Sequence, residues 1–131
     1  MRKVLFAAAV ILGMPVPAMA DFQAGKEAYA HGDYAMAMQE WLPLAERGDA
    51  TAQYNLGLLY GNGQGVAKNY EEAYFWFVLA SAYGVQAGDL GREVTHNFLN
   101  PDQIIAIRKR VSEWRPKPTV PPSPAPAASP K

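Results

Sequence analysis

Shifted by 36 positions, the chain lands on itself. Tyr34 falls on Tyr70, Ala37 on Ala73 and Gly48 on Gly84, while Trp41 meets Phe77 and Met38 meets Tyr74. A period of this length describes one supersecondary unit, a helical hairpin that cannot hide its apolar face alone and stacks on a neighbour to do so. Each copy carries the punctuation of a helix. Asp33 stands before Tyr34 and Asn69 before Tyr70, short polar side chains suited to accept a free N-terminal N–H. Glu72 follows Asn69 at capping-box spacing. Gly48 and Gly84 close the copies, because glycine enters the left-handed conformation that ends a helix.

A second kind of helix lies between the copies. Ala50 to Tyr60 sets Ala52, Leu56, Leu59 and Tyr60 at helical spacing behind Asp49, a fitting N-cap. Phe22 to Ala30 reads as its predecessor, with Ala24-Gly25 aligned on Leu56-Gly57. A glycine inside a helix costs about 1 kcal/mol relative to alanine, so Gly25 and Gly57 imply that a neighbouring helix comes close there. Gln86 to Phe98 is a weaker helix that contains Gly88 and Gly91. Asn100-Pro101-Asp102-Gln103 then combines an asparagine cap, a proline in the first position and a glutamine in the third. The helix it opens puts Ile104, Ile105, Ile107, Val111 and Trp114 largely on one side. End units of a solenoid differ from inner ones because they cover an exposed apolar end, and Pro101 to Trp114 reads as such a cap. The expected fold is all-α: a short α/α superhelix of helix-turn-helix repeats over residues 21–114, with a C-terminal capping helix.

Both ends of the chain read differently from this middle. Arg2 and Lys3 precede an apolar run from Val4 to Leu12, broken by Gly13, Pro15 and Pro17. Ala18-Met19-Ala20 then supplies small residues two apart, ahead of Asp21. This is the layout of a cleavable secretory signal over residues 1–20, and the apolar run is shorter than the roughly 20 residues a membrane span needs. The expected location is therefore periplasmic or secreted, with no stable membrane span after cleavage. Removing those residues takes Arg2 and Lys3 from a neutral chain and leaves a net charge of −2, which gives nucleic acid no electrostatic hold. The chain has no cysteine, so an exported domain of this size must rest on packing rather than on disulfides. Seven of the seventeen residues from 115 to 131 are proline, and Val120 is their only sizeable apolar side chain. Such a composition predicts a disordered, extended tail, with Pro118-Thr119-Val120-Pro121 a weak candidate polyproline ligand.

Residues Ala52-Gln53-Tyr54-Asn55-Leu56-Gly57-Leu58-Leu59-Tyr60, followed by Gly61-Asn62-Gly63-Gln64-Gly65-Val66, closely resemble the Sel1-like repeat family. Its pattern continues here in Asn69-Tyr70, in Ala73-Tyr74-Phe75-Trp76 and in Ala80-Ser81-Ala82-Tyr83-Gly84. The resemblance covers residues 50–84 well and 21–49 and 85–114 loosely. Residues 22–48 look closer to the related tetratricopeptide repeat, because the loop at His31-Gly32-Asp33 is shorter. The resemblance implies an α/α superhelix presenting a concave surface to other proteins. Cysteine-rich exported relatives are linked to penicillin binding or hydrolysis, but this chain lacks the cysteines of their helix-stapling disulfides.

Residues that could carry chemistry have plainer explanations. Gly61-Asn62-Gly63-Gln64-Gly65 follows a helix and precedes no Lys-Ser or Lys-Thr, unlike a phosphate loop. A connector with glycines at positive φ accounts for it. His31 and His96 are far apart and belong to no metal-ligand spacing. Ser81 lacks the glycines of a nucleophile elbow. Glu71 and Glu72 suit a helix N-terminus, and Arg108, Lys109, Arg110, Arg115 and Lys117 suit a C-terminus. Contact of that basic cluster with an anionic surface is the functional alternative. In the run from Tyr70 to Phe77, Trp76 and Phe77 are expected in the core, with Tyr74 directed against a neighbour or into solvent.

No catalytic set, metal site or cofactor is expected. The chain reads as an exported, non-catalytic adaptor that binds a protein or peptide partner of the cell envelope. The tetratricopeptide resemblance implies that the first helix of each unit lines the groove, which makes Gln23, Lys26, Thr51, Asn55 and Leu58 the expected partner-binding residues. The alternative is an envelope hydrolase or small-ligand-binding protein acting on cell-wall-derived material.

Overall fold

A computed structural model describes residues 20–118, and these form six α-helices with no strand among them. The expected export signal, except Ala20, and residues 119–131 of the tail lie outside the described residues. The helices are α1 (Phe22–Ala30), α2 (Tyr34–Glu46), α3 (Ala50–Asn62), α4 (Tyr70–Ala82), α5 (Ala87–His96) and α6 (Pro101–Glu113). Consecutive helices from α1 to α5 pack on one another, and α6 packs on α4. The protein is thus a short α/α solenoid.

Local chemistry sets the helix ends. The side chains of Asp33, Asp49 and Asn69 accept the N–H groups of Met36, Ala52 and Glu72 at 3.1, 2.8 and 3.1 Å. Asp21 does the same for Gln23 at 2.8 Å. At α6 the full capping box forms: Asn100 accepts from the Gln103 N–H, and the Gln103 side chain accepts from the Asn100 N–H, both at 2.9 Å. The box expected at Asn69 does not close. The Asn69 N–H is donated to the Tyr60 carbonyl at 2.9 Å instead, and the Glu72 carboxylate turns to Arg110. At the other ends, α1, α2 and α4 finish in the same six-residue motif. Gly32, Gly48 and Gly84, at φ of 79°, 102° and 101°, donate to the carbonyls of Tyr29, Ala45 and Ser81. The next residues, Asp33, Asp49 and Val85, donate to Ala28, Leu44 and Ala80 at 2.8 to 3.0 Å.

Two glycines admit two aromatic rings. A Cβ on Gly25 would lie 2.3 Å from Trp41 Nε1, and one on Gly57 would lie 2.5 Å from Phe77 Cδ1. The close approach implied by helical glycines is thus made by a ring from the partner helix of the same hairpin. Gly57 follows Gly25 by 32 positions, whereas Phe77 follows Trp41 by 36. The four extra residues are the longer α3–α4 connection, 63–69 against 31–33. In that connection Gly63 and Gly65 have positive φ, and Gly65 sits against the Tyr34 backbone, where a Cβ would come within 2.6 Å of the carbonyl. The glycine-rich stretch is therefore a connector docked on the start of α2.

Helix α4 is the centre of the domain. Ala73, Tyr74, Phe75, Trp76, Phe77, Leu79 and Ala80 are all buried, because α3, α5 and α6 surround it and leave only a narrow line through Glu71, Val78 and Ala82 towards solvent. Tyr74 accordingly faces neighbours rather than solvent. Ile104 and Ile107 of α6 join the same core as Leu56, Leu59 and Phe75. Past α6 the chain turns back to α2, where the Lys117 N–H donates to the Glu46 carbonyl at 2.8 Å and its ammonium pairs with the Glu46 carboxylate at 2.9 Å.

Candidate functional site

Helices α1, α3 and α5 contribute the walls of two grooves on one face of the solenoid. The first, about 500 Å³, runs between α1 and α3. Its α1 wall is Phe22, Lys26, Tyr29 and Ala30, its α3 wall is Thr51, Asn55 and Leu58, and Trp41 of α2 reaches it from beneath. The rings of Phe22 and Tyr29 stand 6.0 and 5.8 Å from that of Trp41. The indole N–H is already donated to the Phe22 carbonyl at 3.2 Å, so the Trp41 ring offers apolar surface and no free donor. The polar side-chain groups of the lining are the Lys26 ammonium, the Tyr29 and Thr51 hydroxyls and the Asn55 amide.

A second groove, about 230 Å³, lies between α3 and α5. Tyr54 and Leu58 line one side, Leu90 and Val94 the other, and Phe77 forms part of its base. Leu90 and Val94 are 66% and 50% exposed, large apolar side chains that no element of the described fold covers. Leu58 belongs to both grooves and forms the ridge between them. The arrangement repeats with the hairpin: each ring that a glycine of the inner helix admits, Trp41 and then Phe77, also borders a groove.

Of the five residues expected at a partner site, the structure brings Lys26, Thr51, Asn55 and Leu58 together in the first groove. Gln23 is exposed on α1 and lines neither groove. Sequence reasoning passed over the aromatic floor, because Phe22, Tyr29 and Trp41 are equally good core residues. It also passed over the α5 wall. The available signal there was Leu90 and Val94, four apart on a helix with little else that is apolar.

Elsewhere the candidate chemical groups engage in structural contacts. The Ser81 hydroxyl donates to Asp89, and Gln103 donates to Glu71 at 2.6 Å. Arg110 holds Glu72 through both Nη atoms and lies over the Phe75 ring, its guanidinium carbon 3.7 Å from the centroid. The basic cluster is dispersed: Lys109 pairs with Glu113 at 4.0 Å, Lys117 with Glu46, and Arg115 donates to the carbonyls of Ser112 and Trp114. His31 and His96 are both exposed. Among the described residues no group of three or more His, Cys, Asp or Glu could hold a metal ion, and no helix is long and apolar enough to cross a membrane.

A stack of helical hairpins with an apolar-floored face along its inner helices defines an α/α-repeat protein. Residues 50–84, the whole of α3, its connector and α4 with the closing glycine, match the Sel1 repeat family, so this α3–α4 hairpin is a Sel1-like repeat. Sel1 repeats mediate protein–protein interaction. No curated protein and no solved structure matches the chain significantly.

Proposed function

We propose that the chain is an exported, non-catalytic adaptor of the cell envelope that holds a protein partner by laying one apolar helix or short peptide across Leu58. The observation that carries this reading is the pair of grooves meeting at that residue, apolar at the base and polar at the rim. That division suits a peptide that buries its side chains and keeps its backbone near donors. Export rests on the signal-like layout of residues 1–20. The face runs past fewer than three full hairpins, so it fits one helix or a short strand of a partner rather than a whole domain.

A photo-crosslinking amino acid at position 58, compared with one at exposed Ala106 on α6, tests the reading in envelope extract. Crosslinking of a defined protein from position 58 and not from 106 is the expected result. Equal crosslinking from both positions, or turnover of a wall-derived substrate by the purified chain, would overturn it.

A further inference from the structure

We propose that the cavity between α4, α5 and α6 binds a small oxyanion, the carboxylate or phosphoryl group of a ligand. The cavity measures about 330 Å³ and shares no residue with either groove. It is lined by Tyr74 of α4, by Arg92, Glu93, His96 and Asn97 at the end of α5, and by Arg108 of α6.

Tyr74 is the informative member. It is 1% exposed, and what remains accessible opens into this cavity. Its hydroxyl makes no hydrogen bond to any other described residue. The Tyr74 hydroxyl is thus without a partner among the described residues and stands at the wall of a polar cavity, where a partner from outside can reach it. Arg108 has no carboxylate within ion-pair distance among the described residues, and Arg92 shares its guanidinium only with exposed Asp89 at 3.4 Å. The Asn97 amide is a further donor, and the His96 ring, 6.2 Å from that of Tyr74, carries one in its neutral form. Donors of four kinds thus converge from three helices, and guanidinium groups bind oxyanions through charge-assisted hydrogen bonds.

Two features oppose an anion. The negative end of the α5 dipole is nearby, but that field is short-ranged and screened, whereas each guanidinium carries a full charge. Glu93 lines the cavity and repels an anion directly.

The purified full chain, isotopically labelled, is titrated with sodium phosphate and separately with sodium acetate at constant ionic strength. The Arg92 and Arg108 side-chain N–H signals and the Tyr74 ring signals are followed. Saturable shifts at these groups are expected. Arg108→Gln should weaken binding about tenfold or more, and Tyr74→Phe, which keeps the ring in the core, by about tenfold. Glu93→Gln should tighten it. Tighter phosphate than acetate assigns a phosphoryl group, and the reverse order a carboxylate. Shifts that never saturate, or saturable ones that ignore both Arg108→Gln and Tyr74→Phe, would overturn the proposal. Since no groove residue is involved, this outcome is independent of the adaptor reading.

Discussion

The ring of Phe77 occupies the space that a side chain at Gly57 would need: a Cβ there would stand 2.5 Å from both Cδ1 and Cε1. Gly91 approaches the same ring from α5, where a Cβ would stand 2.6 Å from Cδ1. Phe77 is therefore clasped between α3 and α5 at two positions where only hydrogen fits. The ring fixes the spacing of the inner helices and, with it, the second groove. Stability and recognition share this one residue.

Gly57→Ala should destabilise the fold by about 1–3 kcal/mol, the usual cost of overpacking a filled core, despite the better helix propensity of alanine. Gly61, in the same helix, is the control. A Cβ there meets only Ala73 Cβ at 3.6 Å, an ordinary contact, so Gly61→Ala should gain up to about 1 kcal/mol. Urea midpoints of the two variants check the opposite signs.

The glycine–ring pairs also show what the sequence could and could not disclose. Helix ends were legible because caps and left-handed glycines act locally: Asp33, Asp49, Gly48 and Gly84 do in the structure what their neighbours in sequence imply. The missing box at Asn69 was not legible. Its N–H is claimed by the Tyr60 carbonyl and Glu72 by Arg110, partners that only tertiary folding supplies. Direction around α4 was illegible for a related reason. A helix covered by α3, α5 and α6 has no polar face, so periodicity could not say that Tyr74 and Phe75 are as buried as Trp76. At the site, rim residues such as Lys26 and Asn55 stood out as polar positions on an inner helix. Trp41 did not, because a ring that borders a groove and a ring sealed in the core are written with the same letter.

Arg110 joins α6 to α4 through Glu72 and the Phe75 ring. Arg110→Ala should cost about 1–2 kcal/mol, the sum of a partly exposed ion pair and a cation–π contact. Arg110→Lys should restore little, because a single ammonium cannot hold both carboxylate oxygens while lying flat on the ring. Thermal denaturation at low and high salt separates the two parts: the ion-pair share should fade at high salt, and the stacking share should persist.

Tyr60 gives the fold a sensitivity to alkali. Burial, and then the Glu72 carboxylate, hold its phenol above the ordinary value of 10.0, with Arg110 opposing them. The unfolded chain therefore releases this proton first as pH rises. Its contribution to stability is complete below pH 10 and declines from there through the higher value of the folded state. Tyr60→Phe should lose less stability than the unaltered chain between pH 9 and 11, by melting temperature across that range. Parallel curves for the two proteins would contradict the assignment.

The ridge between the grooves admits the sharpest comparison. Leu58 is half-buried, lies outside the packed core and borders both grooves. Leu58→Asp should cost about 1–2 kcal/mol of stability, from its partial burial and the poorer helix propensity of Asp, and still leave the chain folded. A carboxylate there would put a solvated charge under any apolar ligand. Partner affinity should then fall roughly thirtyfold, as for a central interface residue worth about 2 kcal/mol. Gln23 is the counterpart, on an inner helix but outside both grooves. Gln23→Ala should change affinity less than twofold. Calorimetric titration of the partner captured at position 58 measures both, and an equal loss in the two variants would mean that the binding face lies along the exposed side of α1 instead.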